Sequence, residues 1–145
     1  FCTGSNIFVR KSVVDELNGF DEAFRRHQDY EFLVRIFEKY SLMAIPEILV
    51  IKNNENYNLP SLDKLIAIKT QYLEKFRYII DTLPEKDVNY ILHGNYINVA
   101  VNAMDQNNYK VANEYYRKAS KYGGLTKKEW IRRILAPIYN IVKKI

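Results

Sequence analysis

Asn18-Gly19-Phe20-Asp21-Glu22, followed by His27-Gln28-Asp29-Tyr30-Glu31-Phe32-Leu33-Val34-Arg35, is the stretch on which the reading of this chain turns. Gly19 suits the residue just past a helix end. Asp21 and Glu22 follow in a tight acidic turn, where Asp21 can hydrogen-bond its own backbone. Asp29 then stands at the start of a new amphipathic helix. A carboxylate there is held ionised by the positive end of the helix dipole. Backbone geometry can aim it into a cleft, which is what a general base needs. The plainer alternative is that Asp29 only caps its helix.

Working upstream, Gly4-Ser5-Asn6 reads as a small loop, open to close backbone approach. It feeds the apolar run Ile7-Phe8-Val9, whose pattern predicts a short buried strand. Ser12, three residues before Asp15, offers a weak variant of the capping box for a short helix with Val13, Val14 and Leu17 on its apolar face. Downstream, Phe32, Leu33, Ile36, Phe37 and Tyr40 predict an apolar side for a helix over Asp29 to Tyr40. Leu42 to Ile51 reads as a second buried strand, with Pro46 confining its middle to an edge or bulge. The Asn-rich stretch 52–60 is expected to be a loop or hinge between two architectures.

Beyond Ser61 the apolar period is helical throughout. Leu65, Ile68, Tyr72, Phe76 and Ile79 predict one helix running to about Asp81. Pro84 suits the first turn of a second, ending near Gln106. A third covers Tyr109 to Tyr122 and is closed by Gly123-Gly124. Within it Tyr109, Ala112, Tyr116 and Ala119 reproduce the second-helix pattern of a tetratricopeptide unit. One such unit is visible where a free-standing array needs at least about three, so a helical hairpin is expected instead. Thr126-Lys127-Lys128-Glu129 is a capping box opening a final helix. Trp130, Ile131, Ile134, Leu135, Ile138, Ile141, Val142 and Ile145 form its apolar stripe, and Pro137 is expected to kink it. Lys and Arg flank that stripe, a pattern suited to a bilayer headgroup region with Trp130, Arg132, Arg133, Lys143 and Lys144 in contact. The competing expectation is that the stripe packs back on the hairpin. His93, among apolar helical neighbours, is read as structural.

At 145 residues the chain is long enough for one ordinary core and too short for two full-sized domains. With 48% hydrophobic and 14% aromatic residues it should fold rather than remain disordered. Cys2 is the sole cysteine, which excludes a disulfide framework and a cysteine metal site. A reducing cytoplasm is the natural compartment, with a peripheral place on the inner face of the cell membrane expected if the last helix lies on lipid. No run of about 18 apolar residues is present, so no spanning helix is expected. The net charge of +5 resides in residues 126–145, which hold six basic side chains and one acid. Basic and acidic residues balance elsewhere, which argues against a nucleic-acid-binding face on the body.

In order and spacing, Ile7-Phe8-Val9-Arg10-Lys11, Gly19-Phe20-Asp21-Glu22, and Gln28-Asp29-Tyr30 with Arg35 resemble the C-terminal half of the catalytic domain of family 2 glycosyltransferases, which have the GT-A fold. The resemblance covers roughly residues 1–56. It implies an α+β, mostly α, chain: the acceptor-side edge of a GT-A α/β domain (1–56), a helical extension (57–124) and an amphipathic basic C-terminal helix (125–145). It implies Asp29 as the catalytic base of an inverting, hexosyltransferase-type enzyme, with a nucleotide-sugar donor and a saccharide or lipid-linked acceptor. Cell-surface polysaccharide or lipopolysaccharide synthesis is the setting it suggests. Gly4, Ser5, Asn6, Asp21, Glu22, His27, Gln28 and Lys52 would line the substrate side.

The sequence departs from that family in two places. The half with the nucleotide-binding strands and the D-x-D motif is missing, and with it the ligands of the divalent Mg or Mn ion that such enzymes use. The chain also begins at Phe1, in strand-like sequence, so it is expected to be the C-terminal part of a longer protein and inactive alone. After the stretch ending at Ile51, where relatives often carry Arg and His, this chain offers Lys52 and Asn54; Lys52 could meet a phosphate as a point charge. The alternative from another class is a non-catalytic helical scaffold or membrane-recruitment module.

Overall fold

A computed structural model describes residues 6–51 and 60–142, with side chains through Leu135. The protein is mainly α-helical, and among the described residues every regular element is a helix. The chain divides into two compact units, Phe1–Asn58 and Leu59–Ile145.

The first unit holds α1 (Lys11–Glu16) and α2 (Gln28–Phe37). Ser12 does not cap α1: it lies inside the first turn, and the residue before the helix, Arg10, makes no side-chain capping bond. The local support is instead an exposed Lys11–Asp15 pair at 2.9 Å, worth a few tenths of a kcal/mol at this spacing. At the other end the backbone must reverse hand. Asn18 and Gly19 take φ of 55° and 66°, with Asn18 N–H donating to Asp15 O at 3.2 Å and Gly19 N–H to Val14 O at 2.8 Å. These are the two bonds of a Schellman ending, with Asn18, one residue earlier than expected, in the C′ position.

Phe32, Leu33 and Ile36 of α2 form the core of this unit, packed by Ile7, Val9, Val13, Val14 and Leu17. The expected continuation of that face through Phe37 and Tyr40 is not buried; the helix stops at Phe37.

Two expected strands are corrected. Ile7-Phe8-Val9 has no regular structure and no ladder partner among the described residues, with Ile7 and Val9 packed on the core and Phe8 fully exposed. Residues 42–51 are likewise outside any ladder, and each is exposed. The reason is that a strand is defined by its partner. Apolar alternation selects a face, but without a neighbouring backbone the N–H and C=O groups have nothing to pair with.

The second unit comprises α3 (Leu62–Lys75), α4 (Arg77–Ile80), α5 (Glu85–Asp105), α6 (Tyr109–Ala119) and α7 (Lys127–Val142). The single helix expected from Ser61 to Asp81 is broken at Phe76, whose φ and ψ of −99° and 14° leave the helical region. Phe76, at the break, and Ile80, at the end of α4, are both buried. Ser61 occupies the N-cap position of α3 without a side-chain bond.

The α5–α6 hairpin is the centre of this unit. Ala100, Ala103, Ala112, Tyr116 and Ala119 have no exposed surface. Alanine at these points lets two helix backbones approach closely enough to bury the Tyr116 ring. The three-residue connection does two jobs at once. Asn107 takes φ 58°, and Asn107 and Asn108 N–H donate to Met104 O and Ala103 O at 3.0 and 2.8 Å, ending α5 by the same Schellman pattern. Asn108 then caps α6, its side chain accepting from Val111 N–H at 3.3 Å. His93 closes the far end of α6 by donating from Nδ1 to Ala119 O at 3.1 Å.

The capping box of α7 forms as its sequence dictates. Thr126 N–H donates to Glu129 Oε2 at 2.7 Å and Glu129 N–H to Thr126 Oγ1 at 3.3 Å. The helix continues past Pro137 to Val142.

Candidate functional site

Asp29 is the second residue of α2, half-buried, and its Oδ1 accepts from Tyr30 N–H at 3.0 Å. That bond fixes the carboxylate against the first turn of the helix, where exposed N–H groups and the dipole favour negative charge. It is a local, cap-like arrangement, and it also sets the direction of the carboxylate by backbone geometry. His27 precedes the helix with φ 60°, and its ring lies 5.6 Å from that of Tyr30. His27, Gln28, Asp29 and Tyr30 therefore share one corner of the unit.

Behind this corner stands a feature that the sequence reading did not single out. Glu31 has no exposed surface. Its carboxylate takes both branches of the Arg35 guanidinium, Oε1 from Nε at 2.7 Å and Oε2 from Nη2 at 2.8 Å. The same guanidinium donates to Leu17 O at 2.5 Å and Gly19 O at 2.7 Å, and it lies 5.3 Å above the Phe32 ring. Phe20 packs on the same ring, its centroid 4.9 Å from that of Phe32. Arg35 thus ties the end of α1 to the middle of α2, using the planar fork that lysine lacks. The signal was a Glu and an Arg four residues apart, with Glu on the apolar side of α2. Periodicity marks such a pair as a surface bridge and does not reveal that carbonyls 16 and 18 residues upstream complete it.

Asp21 performs the turn role. Its Oδ1 accepts from Ala23 N–H at 2.9 Å, and its backbone O from Phe24 N–H at 3.0 Å; the Phe24 ring is buried. Glu22, Gln28 and Asn6 are exposed. Gly4, Ser5 and Lys52 lie outside the described residues, as do the side chains of Lys143 and Lys144. Among the described residues no group of three or more His, Cys, Asp or Glu could hold a metal ion, so no ligand set for the divalent cofactor is found there.

On α7, Arg132 and Arg133, expected at a headgroup region, bond to side chains of the hairpin. Arg132 Nη2 meets Asp105 Oδ1 at 2.6 Å, and Arg133 Nε donates to Asn113 Oδ1 at 2.9 Å while stacking 5.3 Å from the Trp130 ring. Trp130, Ile131, Ile134 and Leu135 remain about half exposed. Polar contacts therefore hold the helix to its unit, and its apolar stripe, as far as Leu135, is not packed away. Among the described residues no helix is long and apolar enough to cross a membrane. Compared with known proteins, the chain matches no family model, no curated protein and no solved structure.

Proposed function

We propose that this chain is the acceptor-side part of an inverting glycosyltransferase of the family 2, GT-A type, with Asp29 as its general base. The observation that carries the reading is the placement of Asp29: a half-buried carboxylate in the first turn of α2, oriented by Tyr30 N–H and standing on the Glu31–Arg35 clamp. In the reaction the Asp29 carboxylate takes the proton from an acceptor hydroxyl as that oxygen attacks the anomeric carbon of a nucleotide-activated sugar. The nucleoside diphosphate leaves from the opposite face, and configuration inverts. Positioned base catalysis of this kind is worth about 10²–10⁴-fold in rate. A divalent ion would neutralise the diphosphate; the described residues do not fit it, and no step of the base's chemistry runs through it.

Two further features favour the reading. Residues 42–51, mostly apolar, and Phe8 are exposed and outside any helix, as strand segments would be when the sheet they belong to is supplied by another part of the polypeptide. The exposed Trp130, Ile131, Ile134 and Leu135, with Lys127 and Lys128 at the helix start, suit the surface of an anionic membrane carrying a lipid-linked acceptor. The last observation equally favours a non-catalytic membrane-recruitment module, the second reading.

The test is Asp29→Asn in the protein that contains this chain. Transfer should fall by at least about a hundredfold, while donor binding stays unchanged. Retained transfer would remove Asp29 from the mechanism and leave the recruitment reading. Co-sedimentation with anionic vesicles should separately be lost on removal of residues 126–145; equal binding would refute the lipid contact.

A further inference from the structure

Asn18 is the only asparagine of the chain that a glycine follows, and it is exposed. An Asn-Gly pair carries a reaction of its own main chain. The nitrogen of the following residue gives up its proton to water and attacks Cγ of the asparagine side chain. The Cγ–N bond of the side-chain amide breaks, and its nitrogen leaves as ammonia, taking a proton from water. Water then opens the resulting five-membered imide at one of its two carbonyls. Opening at the side-chain carbonyl gives aspartate. Opening at the main-chain carbonyl gives isoaspartate, whose main chain runs through Cβ and Cγ. Glycine brings no side chain to obstruct the attacking nitrogen.

The fold restrains this pair. Asn18 and Gly19 both stand in the left-handed region, and the proton that must leave the Gly19 nitrogen is held by Val14 O at 2.8 Å. The carbonyls of Leu17 and Gly19, on either side of Asn18, accept from Arg35 at 2.5 and 2.7 Å. To attack, the nitrogen must first break its bond to Val14, in a segment that Arg35 holds at both ends. The end of α5 offers a comparison within the same molecule. Asn107 has φ 58° and Asn108 N–H donates to Ala103 O at 2.8 Å, but there the nitrogen belongs to a residue with a side chain. At Asn18 the product disrupts what restrained it. Isoaspartate adds a methylene to the main chain between the two N–H groups that close α1. It also sets a carboxylate at the C-terminal end of that helix, the negative end of its dipole.

We propose that Asn18 is a site of spontaneous deamidation, and that the Arg35 clamp sets its rate by keeping the Gly19 amide bonded. The intact chain, Arg35→Met and Arg35→Lys are incubated in mildly alkaline buffer, with the intact chain in concentrated urea as the open reference. Peptide mass spectrometry follows the conversion of each asparagine to acid, and chromatographic retention separates isoaspartate from aspartate. Hydrogen exchange of the Gly19 amide reads the opening of the same segment. Conversion at Asn18 should outrun that at Asn107 and every other asparagine. It should be slowest in the folded intact chain and rise in proportion to Gly19 exchange, about a hundredfold in Arg35→Met. Where Arg35→Met unfolds the first unit outright, Arg35→Lys, which keeps the charge without the fork, supplies the intermediate opening. Ala112→Leu, in the second unit, should leave the Asn18 rate unchanged. Conversion in the folded chain as fast as in urea, a faster asparagine elsewhere, or an Asn18 rate that does not follow Gly19 exchange would overturn the proposal.

Discussion

Replacing Arg35 by methionine keeps most of the aliphatic stem and deletes the guanidinium that joins α1 to α2. Three groups then lose the bonds Arg35 gave them: the Glu31 carboxylate, which has no exposed surface, and the carbonyls of Leu17 and Gly19. Breaking a buried pair from one side costs about 3–5 kcal/mol, mainly because the remaining charge stays desolvated. The Arg35 side chain is itself 19% exposed, so water can reach part of the vacated space, and we expect the lower end, about 3 kcal/mol. Glu31→Met should cost less, because Arg35 keeps two carbonyl acceptors and its partial exposure. The double replacement should recover about 2 kcal/mol relative to the sum of the single ones, since apolar residues fill the same place without an unpaired charge. Hydrogen exchange of amides in α1 and α2 reads the local opening of the unit, and 3 kcal/mol corresponds to about a hundredfold faster exchange. A cost below about 1 kcal/mol for Arg35→Met, or strict additivity in the double variant, would show that the clamp does not hold the corner that carries Asp29.

In the second unit, the Tyr116 hydroxyl is buried without a hydrogen-bond partner among the described residues, so Tyr116→Phe should leave the unfolding free energy unchanged or raise it by up to about 1 kcal/mol; a clear loss would reveal a partner for that oxygen. Ala112→Leu places three extra carbons where Ala112 has no exposed surface and should destabilise the α5–α6 hairpin by about 1–3 kcal/mol in urea unfolding; no change would mean that the helices are not in close contact. Lys69→Met should stabilise the unit at neutral pH. Because burial lowers the Lys69 pKa in the fold, the folded state binds fewer protons between that lowered value and the ordinary lysine value near 10.4, so the penalty fades as pH rises through this window. The titratable neighbours, Tyr96 and Tyr115, are common to both proteins, so the difference between them isolates Lys69. An advantage for the methionine variant that stays constant up to pH 10.5 would contradict this.

What could be read in advance is local. The Thr126–Glu129 capping box, the alanine and tyrosine spacing of α6, the Asp21 turn and the helix opening at Asp29 each depend on groups within about four residues of one another. Side-chain type and spacing therefore settle them by themselves. The structure decided everything that needs a distant partner. Ile7-Phe8-Val9 and residues 42–51 carry strand-like sequence, yet no backbone pairs with them among the described residues. The helix through Phe76 breaks although its apolar period does not, because burial of that ring belongs to the packing of the unit. Arg35 reaches carbonyls 16 and 18 residues away, and Lys69 is one of the residues lining a small cavity assembled from three helices. Periodicity specifies which side of an element turns inward; which group meets it there depends on contacts that only the folded chain creates.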